Sequence, residues 1–204
     1  MTDGGENGII NAITIEDFEA ADTNGTISDD CRETILKVLK EQGVLYVYDG
    51  IRTFNEPPDE DGRIDVLITN AVQTPGYPKV YLEINEAFFA GKDKNKADAM
   101  FKSQNYSVAD SLEEAVIHEC GHAKVIRGKN YYEYKAIDDE LKGDIFTKPI
   151  ASREDKKSLK NLAGTISEYA QKDGLECIAE SHVKIQRGET IPDELQALYD
   201  KYMK

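Results

Sequence analysis

The sequence predicts an α+β fold: a small mixed or antiparallel sheet of about three to four strands packed on a central helix, with a C-terminal helical subdomain. Three observations carry this expectation. Short runs rich in β-branched and aromatic residues cluster between residues 43 and 85. A segment of helical length with its own start and stop signals spans residues 111–127. Two more capped helical segments follow between residues 173 and 204.

Taken in order, residues 1–12 are rich in Gly and Asn, and residues 1–20 are expected to form a flexible N-terminal tail. Residues 21–204 then read as a single domain, with no internal repeat or low-complexity linker. Asp22-Thr23-Asn24-Gly25-Thr26-Ile27-Ser28 has the look of a calcium loop, but Ala20 and Cys31 would occupy its first and twelfth ligand positions. It reads instead as a turn into a helix capped by Ser28 or Asp30 and ended by Gly43. Residues 43–51 (GVLYVYDGI), 63–70 (RIDVLITN) and 79–85 (KVYLEIN) are the expected strands. The third is the favoured edge for pairing with an extended peptide. Residues 52–62 and 91–106 read as polar loops, the second a candidate flap over a cleft. Tyr131, Tyr132 and Tyr134 cluster before a break at Pro149, and a helix capped by Ser152 and Asp155 is expected to run to about Ala163. Pro192 suits the first turn of a last helix.

Composition narrows the function classes. Lys and Arg total 25 against 39 Asp and Glu, a net charge of −14. Nucleic acids and anionic membranes both call for a basic footprint, so neither is expected as a partner. No apolar run approaches a membrane span, and the N-terminus lacks a signal-peptide pattern. Cys31, Cys120 and Cys177 form no spaced framework, which suits free thiols in a reducing compartment such as the cytoplasm. A secreted chain stripped of its signal would read the same way. A monomer is expected.

The stretch with a specific chemical meaning is His118-Glu119-Cys120-Gly121-His122, an HExxH motif. On a helix, residues four apart share a face, so His118 and His122 can aim two imidazoles at one ion with Glu119 beside it. The pattern reads as a zinc site, one catalytic Zn2+, with Glu119 as general base. Asp110 or Ser111 can cap this helix, and Gly128 can stop it. Only three histidines exist in the chain, and two fill the motif.

A catalytic zinc takes three protein ligands. The local candidates are Glu176, Glu180 and His182, all on a helix expected from Asp173 to Gly188. Glu176 and Glu180 share a face, whereas His182 lies about 120° away and reads as a structural histidine. One glutamate can bind the metal, and the other can fix a ligating histidine by a hydrogen bond to its far nitrogen.

HExxH followed, some fifty residues on, by Tyr169 and then Glu176-Cys177-Ile178-Ala179-Glu180 resembles the gluzincin arrangement. The resemblance is to the lethal-factor-like metalloproteases and the Pro-Pro endopeptidases, and to peptidase-like regions of phage head-morphogenesis proteins. It implies that Glu176 is the third metal ligand, Glu180 the supporting carboxylate and Tyr169 the phenol that stabilises an oxyanion. Cys177 and Ile178 stand where that family has two large aromatics, and cleavage at Pro-Pro does not follow from shared zinc residues. Read from its residues alone, Tyr169 can equally be a core tyrosine. The expected function is a zinc-dependent endopeptidase acting on a peptide or protein, cytoplasmic or phage-associated. The alternatives are a structural or virion-associated protein that retains a peptidase-like fold, and a hydrolase of some small amide.

Overall fold

The computed structural model, which describes residues 12–75, 77–127, 129–130, 132–133 and 161–203, sets a three-stranded sheet against the HExxH helix. The strands are β1 (Gly50–Phe54), β2 (Leu67–Val72) and β3 (Lys79–Asn85), in the order β1-β3-β2. β1 runs parallel to β3 and β2 antiparallel to it, so the sheet is mixed and the α+β class holds. Alternation explains β3: Val80, Leu82 and Ile84 are buried, while Lys79, Tyr81 and Glu83 face the other way.

Two strand expectations need correction. Residues 44–48 form turns rather than a strand, with Val44 bonded back to Leu39 and Val47 to Val44. Val44 and Tyr48 are fully buried, so this apolar run fills the core without pairing. The third strand was expected to accept a peptide, yet β3 has a partner on both sides and no free edge. The edge strand packed on the HExxH helix is β2.

Two loop expectations also change. The expected tail of residues 1–20 is corrected over its described part: α1 (Ile15–Ala21) packs on β1, and Ile13 and Phe18 are buried. Residues 1–11 lie outside the described residues. Within 91–106 stands a helix, α4 (Lys94–Ser103), preceded by the short α3 (Glu86–Phe89). Asp93 caps α4, and Ala97 and Phe101 bury a face spaced by four.

The turn before α2 (Asp29–Glu41) is held by the buried Asp22. Its carboxylate accepts the Thr26 and Ile27 amides and pairs with Arg32 at 3.1 Å, which leaves it a structural turn. The HExxH helix is α5 (Leu112–Ile126). The Ser111 hydroxyl accepts the Glu114 amide, and Asp98 of α4 accepts the Leu112 amide at 2.9 Å. Asp173 caps α6 (Gly174–Gln186) by accepting the Leu175 and Glu176 amides, and α7 (Asp193–Met203) follows Pro192. Helical residues 161–164 end at Gly164; the rest of that expected helix, Tyr131, Tyr134, Pro149 and the Gly128 stop lie outside the described residues.

One contact sets how closely α5 and α6 cross. A Cβ built on Gly121 would sit 2.9 Å from the Ala179 Cα. The backbones approach nearer there than any side chain at 121 allows. Arg187, at the end of α6, locks the opposite end of the crossing by pairing with Glu114 and donating to the Val108 carbonyl. Among the described residues, no helix is long and apolar enough to cross a membrane.

Candidate metal centre

The crossing of α5 and α6 brings His118, His122 and Glu176 to one point. His118 Nε2 and His122 Nε2 are 3.2 Å apart, and Glu176 Oε2 lies 3.2 Å from the first and 3.3 Å from the second. Tetrahedral zinc with bonds of about 2.0–2.1 Å holds its ligand atoms roughly 3.3–3.4 Å apart. The three donors therefore fit one face of a zinc coordination sphere, and two nitrogens plus one oxygen suit zinc chemically. Donor atoms of His118, Glu119 and His122 also lie within 4.8 Å of one another. The Glu176 triangle is the tighter set, and the Glu119 carboxylate is engaged elsewhere. Its Oε2 accepts the Thr69 amide of β2 at 2.6 Å.

Glu180 lies one turn beyond Glu176 and is fully buried. It accepts the His118 Nδ1–H at 2.9 Å, the Ser107 hydroxyl at 2.8 Å and the Val108 amide at 2.8 Å. With Nδ1 donating, the lone pair of His118 stays on Nε2, the atom in the triangle. His182 points away. Its Nδ1 meets the Tyr199 hydroxyl at 2.8 Å, and its Nε2 meets Gln42 and the Lys124 ammonium at 3.1 and 3.2 Å.

Charge follows this layout. Burial works against ionisation of Glu176, but His122 and His118 outweigh it and hold its carboxyl well below the usual range. Burial works the same way on Glu180, and His118 again prevails to lower it. Burial raises the Glu119 carboxyl, the direction suited to a group that takes and returns a proton near neutral pH. Burial and then the Glu176 charge push the Tyr169 phenol far up, so its hydroxyl stays protonated.

Tyr169 opens a short 3-10 turn (Tyr169–Gln171), and its ring centroid lies 5.8 Å from that of His118. Lys172 donates to the Tyr169 hydroxyl at 3.2 Å and reaches Glu176 Oε1 at 3.4 Å. Three neighbouring depressions share Asp65 and Tyr169 in their walls, and two of them include His118 and Glu119. Among the described residues, the triangle of His118, His122 and Glu176 thus opens on a groove beside β2. Thr69, Ser107, Lys172 and Gly121 were not legible as site residues. Gly121 alone carried a signal, since glycine inside a helix costs about 1 kcal/mol against alanine and calls for a packing reason.

No protein-family model matches this chain, and neither a curated protein nor a solved structure does.

Proposed function

We propose that this chain is a zinc-dependent endopeptidase. The observation that carries the reading is the triangle of His118 Nε2, His122 Nε2 and Glu176 Oε2, with edges of 3.2–3.3 Å, beside a buried glutamate. A zinc ion held by these three residues would supply Lewis acidity and lower the pKa of its bound water to about 7.

The chain's own residues do the rest. Glu119 takes a proton from the attacking water and delivers it to the leaving amine. Tyr169, kept protonated and with Lys172 donating to its oxygen, turns its O–H to the carbonyl oxygen on which charge builds. Glu180 holds the His118 ring in the tautomer that leaves Nε2 free. The groove that the described residues leave open beside β2 favours an extended peptide over a small amide. In the antiparallel register with β3, Thr69 turns its amide outward, and by alternation Leu67 and Ala71 do the same. A peptide adding to that edge would lie across the metal triangle.

The test is a peptide-library cleavage screen with zinc-loaded protein and Glu119→Gln as the blank. The reading expects cleavage by the first and none by the second, with equal zinc in both. Cleavage that persists in Glu119→Gln contradicts it.

A further inference from the structure

The base of the proposed reaction is gripped from the sheet at two points. The Thr69 amide donates to Glu119 Oε2 at 2.6 Å, and the Thr69 hydroxyl donates to the Glu119 main-chain carbonyl at 3.1 Å. Behind Thr69 stands Tyr48, fully buried, whose hydroxyl lies 2.9 Å from Thr69 Oγ1 and 3.4 Å from the same carbonyl. A buried phenol needs a partner, and among the described residues it finds one at this junction of the turn before β1, the edge strand and the HExxH helix.

We infer that Thr69, steadied by Tyr48, is a positioning residue that clamps Glu119 so that a single carboxylate oxygen, Oε1, is left to exchange protons in the groove. The inference rests on the peptidase reading and adds a residue to it. Its physical content is selection. A carboxylate has two equivalent oxygens and a free χ3 rotation, and proton transfer needs one of them within hydrogen-bond reach of the water. A short charge-assisted bond to a strand amide fixes Oε2 and so fixes that rotation. The hydroxyl bond ties the same strand residue to the backbone beneath the glutamate, so strand and base keep one relative position. Among the described residues, the main-chain amide of Thr69 is the group hydrogen-bonded to the Glu119 carboxylate. With the Thr69 amide taken by Glu119, a peptide adding to this edge is left the Leu67 and Ala71 amides.

Two measurements test this. The first needs no turnover: hydrogen exchange of the whole protein read by nuclear magnetic resonance. Edge-strand amides exchange freely unless bonded, so Thr69 should exchange at least tenfold more slowly than Ala71, and Glu119→Ala should abolish the difference. Fast exchange at Thr69 in the native protein overturns the clamp, whether or not the protein cleaves peptides.

The second reads kinetics with zinc-loaded Thr69→Val, Thr69→Ser and Tyr48→Phe, each checked for native circular dichroism. Thr69→Val should lower kcat about tenfold while KM and zinc affinity stay within about twofold, and Thr69→Ser should restore most of the loss. Tyr48→Phe should lower kcat less, and the double variant should be no worse than Thr69→Val, because the two act as one unit. Unchanged kcat in Thr69→Val, or parallel loss of kcat and zinc, overturns the positioning role. Absence of cleavage by the native protein overturns the peptidase reading on which that role rests, and the exchange result then stands alone on the clamp.

Discussion

Replacing Gly121 with alanine probes the contact that builds the site. The new Cβ would lie 2.9 Å from the Ala179 Cα, 3.3 Å from its Cβ and 3.4 Å from the His182 Cβ. Carbon pairs rest about 3.5–4.0 Å apart, so the helices must part by about 0.6–1.1 Å at the crossing. Overpacking of this kind costs about 1–3 kcal/mol. Alanine would otherwise gain about 0.5–1 kcal/mol over glycine in a helix, so the net expectation runs from about neutral to roughly 2.5 kcal/mol destabilising. Zinc affinity should suffer more surely than stability. Glu176 rides on α6 one turn before Ala179, and parting the helices stretches the 3.2 and 3.3 Å edges beyond what bonds of about 2.0–2.1 Å span. If the clash is relieved by giving up that fit, affinity falls roughly 5- to 150-fold. Competition with a chromophoric chelator measures it, alongside a thermal melt without zinc. Removing the Ala179 side chain as well (Ala179→Gly) should not restore binding, because the closest atom is backbone. A Gly121→Ala protein that is about 1 kcal/mol more stable and binds zinc as tightly as the parent would refute the reasoning.

Other consequences can be checked with simpler assays. Glu180→Gln keeps an acceptor for His118 but loses the charge that serves three donors, and zinc affinity should drop about 10–100-fold in the same competition assay. Phe101→Ala should cost about 3–5 kcal/mol in urea unfolding, because the ring is buried and sits 5.0 Å from that of Phe88; a change under 1 kcal/mol would return residues 94–103 to the surface. Burial, then Lys124 and His118, push the His182 pKa down to about 3. Its neutral form is the native one, so the stability it contributes is complete above about pH 6.5 and is lost as the pH falls toward 3, at up to about 1.4 kcal/mol per unit. Urea unfolding at pH 7, 5 and 4 should therefore show a shallower acid slope for His182→Gln than for the parent, and identical slopes would contradict the assignment.

What could be read from the chain, and what could not, divides along a physical line. The HExxH helix, the Asp173 cap and the β3 boundaries follow from local chemistry, namely spacing by four, an acceptor at a helix start and strict alternation. The shared face of Glu176 and Glu180 was legible the same way, and so was the displacement of His182 from it. Residues 43–51 misled because an apolar, β-branched run satisfies burial in turns as well as in a strand, and only the pairing partner decides. α4 was hidden among lysines, since Ala97, Met100 and Phe101 make a narrow apolar stripe on a polar helix. α1 was hidden because its burial depends on a single large side chain, Phe18. Sheet order and the Thr69 clamp are contacts between segments far apart in the chain, and no local pattern encodes them.

The most direct test of the central claim is a crystal of the protein grown with zinc and measured at the zinc absorption edge. The account predicts one strong anomalous peak bonded at about 2.0–2.2 Å to His118 Nε2, His122 Nε2 and Glu176 Oε2, with Glu119 unbonded and still held by Thr69. A peak that leaves Glu176 out of its coordination, or that recruits His182 in its place, would contradict it.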